Sequence, residues 1–113
     1  MKARISRNGR ELSTNVVLAD SMGKRMMGLL GRERLGEGES LWLKPCKGVH
    51  TVGMRFPIDV VFLDKQKVVI AINQDLRPNR MTLLHFRAAS VLELPPGTLA
   101  ATDARVGDRI EIA

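Results

Sequence analysis

Ile58 to Asn73 reads IDVVFLDKQKVVIAIN, and this stretch decides the fold. Two runs rich in Val, Ile and Phe flank the polar step DKQK, Asp64 to Lys67. Branched and aromatic side chains fit the pleated surface of a sheet, and a short polar break between two such runs marks a β-hairpin turn. The longest unbroken apolar runs, VVFL (60–63) and VVIAI (68–72), fall far short of the roughly 20 residues a membrane-spanning helix needs.

Strand signals continue outward from the hairpin. Downstream, RPN (Arg77–Asn79) opens a loop and SVLEL (Ser90–Leu94) stops at PPG. VGDRIEI (Val106–Ile112) is a turn feeding a strand with Ile110 and Ile112 on one face. Upstream, TNVVLAD (Thr14–Asp20) and LWLK (Leu41–Lys44) read as strands, the second ending at Pro45, and GVHTVGMR (Gly48–Arg55) resumes the pattern. Between them the period changes. Met22, Met26, Leu29 and Leu30 form a stripe on a helix of about three turns, capped by Asp20 or Ser21 and stopped by Gly31 or Gly36. GEGES (36–40) is then a mobile loop. No repeat or linker divides the chain, so residues 1–113 make a single domain. The expected fold is mainly β, a small antiparallel β-sandwich or barrel of about six to eight strands with one N-terminal α-helix.

The formal charge is +6, from 18 Lys and Arg against 12 Asp and Glu. Residues 1–34 hold eight cations and three acids, and residues 35–113 hold ten and nine, so the excess belongs to the N-terminal segment and the expected helix. Such a segment attracts nucleic acid or anionic lipid by charge alone. Stacking side chains are scarce, with no Tyr, one Trp and three Phe, so nucleic acid is not the expected partner. A single cysteine allows no internal disulfide and accords with a reducing cytoplasm. MKARISRNGRELS has basic residues with no apolar run behind them. No signal peptide is therefore expected, which places the chain as encoded in the cytoplasm, or outside it if a leader precedes this sequence.

Cys46, His50 and Met54 are spaced by four, and thiolate, imidazole and thioether are all soft ligands. A blue-copper set would add His85, but there the lone histidine precedes the cysteine loop, and here it follows. Zinc lacks its paired spacing. A catalytic thiol would use Lys44 and Lys47 to favour the thiolate and His50 or His85 as base, yet no oxyanion-hole signature, Walker loop or nucleophile elbow accompanies it. The preferred reading makes GVHTVGM a strand whose inward face carries Val52 and Met54, with His50 at its rim. No metal and no cofactor are expected.

Three motifs in order are more specific: RMMGLLGR (Arg25–Arg32), HTVGMRFPIDVVFLD (His50–Asp64), and VLELPPG (Val91–Gly97) followed by VGDRIEI. Together they resemble the domain of unknown function 192 family, also called uncharacterised protein family 0127, from Thr14 to Ile112. The resemblance implies a mostly β domain with one early helix and no established activity. Gly53 stands where many members place a large aromatic residue.

Two acids lie in apolar surroundings, Asp59 between FPI and VVFL and Glu93 within VLELPP. Each is expected to be paired, and Arg25 is the favoured partner of Asp59 ahead of Arg32, Arg55 and His50. These acids either form structural ion pairs tying helix to sheet, or join a cleft in which Arg25, His50, Met54, Asp59 and Glu93 take a small polar ligand. The expected role is a small-molecule or polar-ligand binding or accessory module rather than an enzyme. The alternatives are a protein–protein adaptor, a weak hydrolase or transferase, and nucleic-acid binding through the basic N-terminal segment.

Overall fold

The structure, a computed structural model, describes residues 1–20 and 32–113. Residues 21–31, which carry most of the expected helix and Arg25, lie outside the described residues. Among the described residues the strands are β1 (Ala3–Ile5), β2 (Glu11–Ser13), β3 (Asn15–Ala19), β4 (Glu39–Leu43), β5 (Ile58–Leu63), β6 (Val69–Leu76), β7 (Ser90–Leu94) and β8 (Ile110–Ile112). A short helix, α1, spans Thr98–Thr102. The strands form a five-stranded sheet in the order β3-β4-β7-β5-β6 and a three-stranded sheet in the order β2-β1-β8. All pairings are antiparallel except β3 with β4. The fold is mainly β and sandwich-like, with no closed barrel.

The expected hairpin is present as β5 and β6. Its turn is fixed by Asp64, whose Oδ1 accepts the N–H groups of Gln66 at 2.9 Å and Val68 at 3.0 Å, a side chain standing in for a backbone acceptor. β5 is buried along its whole length, which is why its sequence runs apolar without alternation. Val61 and Leu63 face a first core with Trp42, Leu92 and Leu94, closed by Ala3, Ile5 and Ile110 of the small sheet. Val60 and Phe62 face a second core with Leu41, Leu43 and Val91.

Among the described residues no sheet covers the second core. β4 and β5 run the same way with β7 between them, so residues 44–57 must cross the sheet to connect them. β6 and β7 are also parallel, and residues 77–89 cross back. The two crossovers lie side by side and bond to each other. His85 N–H donates to Lys47 O (2.8 Å), Thr82 N–H to Val49 O (2.9 Å) and Thr51 N–H to Arg80 O (2.8 Å). Val49, Met54, Phe56 and Ala88 from this layer pack on the second core.

This layer replaces the strand expected at GVHTVGMR. His50 forms an isolated bridge with Met81, and the chain then turns at Gly53, whose φ of 82° suits a residue without Cβ. Met54 N–H donates to Thr51 O at 3.0 Å across that turn. Thr51 and Met54 are therefore buried while Val52 is exposed, and the expected alternation is lost. The Thr51 hydroxyl donates to Arg77 O (2.6 Å) and accepts the Arg80 N–H (2.9 Å), pinning one crossover to the other.

Two further elements were not expected from sequence. Asn8 and Gly9 (φ 72°) turn β1 back into β2, and α1 follows PPG directly. GEGES is not a free loop either, because Glu39 and Ser40 begin β4 and the Ser40 hydroxyl donates to Ser13 Oγ at 2.7 Å. Three cations of the basic N-terminal segment are paired with carboxylates. Arg4 pairs with Glu111, Arg7 with Asp108 at 2.7 Å, and Arg32 with Glu39 at 2.8 Å. Among the described residues no helix is long and apolar enough to cross a membrane.

Candidate functional site

Three pieces of chain meet at one end of the large sheet. They are the exit from β4, the β5–β6 turn, and the approach to β7. Backbone bonds hold them together, with Ala89 N–H donating to Leu63 O at 2.8 Å and Cys46 N–H to Ala89 O at 3.2 Å. An open cleft of about 710 Å³ lies between them. That volume is within the range of small-molecule sites. Lys44, Lys47, Lys65 and Arg87 line it, with Asp64 as the acid among its lining residues.

Several of these groups are held in place. Lys47 Nζ donates to Phe86 O at 2.7 Å and Ala88 O at 2.9 Å, which fixes its ammonium at the cleft wall. Lys44 Nζ stands 5.1 Å from the centroid of the Trp42 ring, within cation–π range. One Asp64 oxygen is already committed to the turn. Four cations and one partly engaged acid give this end of the sheet a net positive lining.

Of the five residues expected to form a site, the four that are described do not line this cleft. Glu93 is buried on β7, opposite Leu41 and Val60, and so faces the second core. Burial pushes its carboxyl up to about 7. Among the described residues no cation or hydrogen-bond donor meets it. Met54 is buried in the same core. His50 is exposed on the crossover layer above. Asp59 is opposite Leu94 and faces the first core, the other side of the sheet from Glu93. Arg25 lies outside the described residues.

The Asp59 oxygens have partners other than an arginine. Oδ1 accepts the N–H of Asp75 and Oδ2 that of Leu99, each at 2.9 Å. α1 begins at Gly97, which has no side chain to cap it. Asp59 supplies the missing acceptor from β5, satisfying an orphan N–H of the first turn and placing negative charge where the helix dipole favours it. A carboxylate in an apolar stretch was legible in the sequence; a helix N-terminus as its partner was not. Cys46 is half-buried and its thiol donates to Gly48 O at 3.1 Å. Among the described residues no three His, Cys, Asp or Glu side chains cluster closely enough to hold a metal ion.

The family model DUF192, described as "Uncharacterized ACR, COG1430", matches residues 3–112. The chain belongs to this family. A UPF0127 protein of Pyrococcus furiosus is 32% identical over 108 residues, covering 91% of this chain and 90% of that protein. A protein of unknown function from Novosphingobium aromaticivorans DSM 12444 has the same fold, with a TM-score of 0.85 at 21% identity over 99% of this chain and 84% of that one. A Sinorhizobium meliloti 1021 structure, named a candidate transcription regulator, superposes with a TM-score of 0.82 at 21% identity over 97% of this chain and 91% of that one. In this DUF192 chain the motif pieces PID and LPPG meet physically, because Asp59 of the first caps the helix that Gly97 of the second begins.

Proposed function

We propose that this DUF192 protein is a binding module for a small anion, a carboxylate or a phosphate, taken up in the cleft at the end of the large sheet. The observation that carries the reading is the lining: Lys44, Lys47, Lys65 and Arg87 face one cavity of about 710 Å³. Ammonium and guanidinium groups give charge-assisted hydrogen bonds to such ligands, and Arg87 offers a planar fork for two oxygens at once. The chain's sole tryptophan is a built-in reporter, since Lys44 sits over the Trp42 ring and also lines the cleft. Titration with inorganic phosphate and with malonate should change Trp42 emission saturably. Lys65→Glu and Arg87→Glu should each weaken that response by about tenfold or more. No saturable response to either anion, or an unchanged one in both variants, rejects this reading.

A second reading is supported by Glu93. A buried carboxyl with no partner among the described residues suits a ligand that brings a hydrogen-bond donor, such as a hydroxyl or an amine. It would sit beneath the crossovers with Met54 against it and His50 at the rim, while Asp59 lies on the opposite face of the sheet. Binding of a polyol or amine lost in Glu93→Gln but kept in Lys65→Glu would favour this site over the cleft.

A further inference from the structure

The crossover layer presents an outer surface unlike the rest of the molecule. Met81, Leu83, Leu84 and Phe86 are 73%, 80%, 63% and 77% exposed, and Val52 beside them is 53% exposed. Four large apolar side chains within six residues is a concentration that a soluble surface rarely shows without a partner. Their backbone is not loose. The bonds from Thr51, Thr82 and His85 tie this segment to residues 47–51, and Gly48 allows Leu84 to approach so closely that an added Cβ would meet Leu84 Cδ2 at 2.8 Å. The side chains are therefore held outward by a fixed frame.

Charge is concentrated on the same layer. Residues 44–57 and 77–89 contain six Lys and Arg (Lys44, Lys47, Arg55, Arg77, Arg80, Arg87) and no Asp or Glu. The remaining 12 cations are matched by all 12 acids, so these two segments account for the whole formal charge of +6. Elsewhere Arg4, Arg7, Arg32 and Arg105 are paired with carboxylates, and within the layer Arg77 stands 3.9 Å from Asp75. Among the described residues no ion pair engages Arg55, Arg80 or Arg87.

From this juxtaposition we infer that the outer face of the crossover layer docks on an anionic phospholipid bilayer, with Met81, Leu83, Leu84 and Phe86 entering the acyl boundary and Arg77, Arg80 and Arg87 meeting headgroup phosphates. Side chains this exposed protrude rather than forming a flat patch, which suits a deformable apolar interior better than a preformed protein groove. Arginine flanking apolar residues is the arrangement that binds negatively charged interfaces. Nucleic acid fits less well, because among the described residues Phe86 is the sole aromatic in the exposed large hydrophobic set. The inference goes beyond the anion cleft: Phe86 and Arg87 border both, but Arg77, Arg80, Met81, Leu83 and Leu84 are not among the cleft residues.

The test uses the whole chain and sedimented vesicles of phosphatidylcholine with or without phosphatidylglycerol. The expected result is binding to the phosphatidylglycerol vesicles that weakens as salt is raised. Leu83→Ser combined with Met81→Ser should reduce it by about tenfold or more, and Arg80→Glu should reduce it further at low salt. Unchanged circular dichroism would show that the variants fold, and unchanged phosphate titration at Trp42 would separate this face from the cleft. Absence of vesicle binding, equal binding to neutral vesicles, or retention in the serine variant overturns the inference. So would a solution dimer that dissociates on Leu83→Ser, which would assign the face to a second copy of the chain.

Discussion

Glu93 and Asp59 lie on neighbouring strands, face opposite sides of one sheet, and meet burial in opposite ways. Glu93 keeps its proton to about 7, against 4.5 for an ordinary glutamate. Between those values the folded chain binds a proton that the unfolded chain has lost. Stability should therefore be fully present below the unfolded value and fall as pH rises toward 7, by roughly 3 kcal/mol in all. Urea unfolding at about pH 5 and about pH 8 should show the wild type weaker at the higher pH, and Glu93→Gln should flatten the difference. An identical pH dependence in the variant would place its origin in another group. Asp59 instead accepts two backbone N–H groups. Asp59→Asn keeps one acceptor and turns an NH₂ toward the other donor, so it should cost about 1–3 kcal/mol in urea unfolding. Unchanged stability would mean that the helix cap is dispensable.

At the scale of the element, burial and not residue type sets the cost of a change. Val61 of β5 is fully buried, whereas Val17 of the edge strand β3 is 52% exposed. Val61→Ala should cost about 2 kcal/mol or more through lost transfer energy and a residual cavity, and Val17→Ala well under 1 kcal/mol. Equal losses would contradict the layering of the cores. How much could be read in advance depends on where the information resides. TNVVLAD, IDVVFLDKQKVVIAIN and SVLEL announce β3, β5, β6 and β7 because their side chains and turn chemistry are local. GVHTVGMR carries the same β-branched residues but is a crossover, since its partner is the distant segment 80–85 and Gly53 breaks its alternation. The Asn8–Gly9 step is a strong hairpin signal that could have revealed β1 and β2. The cleft was beyond reach, because Lys44, Lys65 and Arg87 meet only through the strand order β4-β7-β5, which no local pattern encodes. Register likewise decides that Asp59 and Glu93 look away from each other.

Over the whole molecule, charge is sorted more sharply than the sequence halves suggest. Arg4 and Arg7 reach across to Glu111 and Asp108 and tie β1 and the turn after it to β8. Arg7 beside Asp108 holds that carboxyl below the usual carboxylate range, the hydrogen bond being the chief cause. A depressed carboxyl contributes above its ordinary value of 3.8 and loses its contribution as pH falls through the folded value. Asp108→Asn should thus lower stability at neutral pH and make acid unfolding less steep, read by circular dichroism across an acid titration. An unchanged acid limb would leave the Arg7 pair without energetic weight.

The first and last strands are direct neighbours, and Lys2 and Ala113 exchange both backbone hydrogen bonds, at 2.7 and 3.0 Å. The linear order of the chain is thus almost incidental to its architecture. Joining the two ends through a few glycines and reopening the polypeptide between Lys65 and Gln66 would give a circular permutant with every strand pairing retained. Such a permutant should melt cooperatively, and loss of the cooperative transition would show that the β5–β6 turn must be covalently intact. Because the new ends would emerge beside the lysine-lined cleft, a fluorophore or tether placed there would report on that end of the sheet without touching either core.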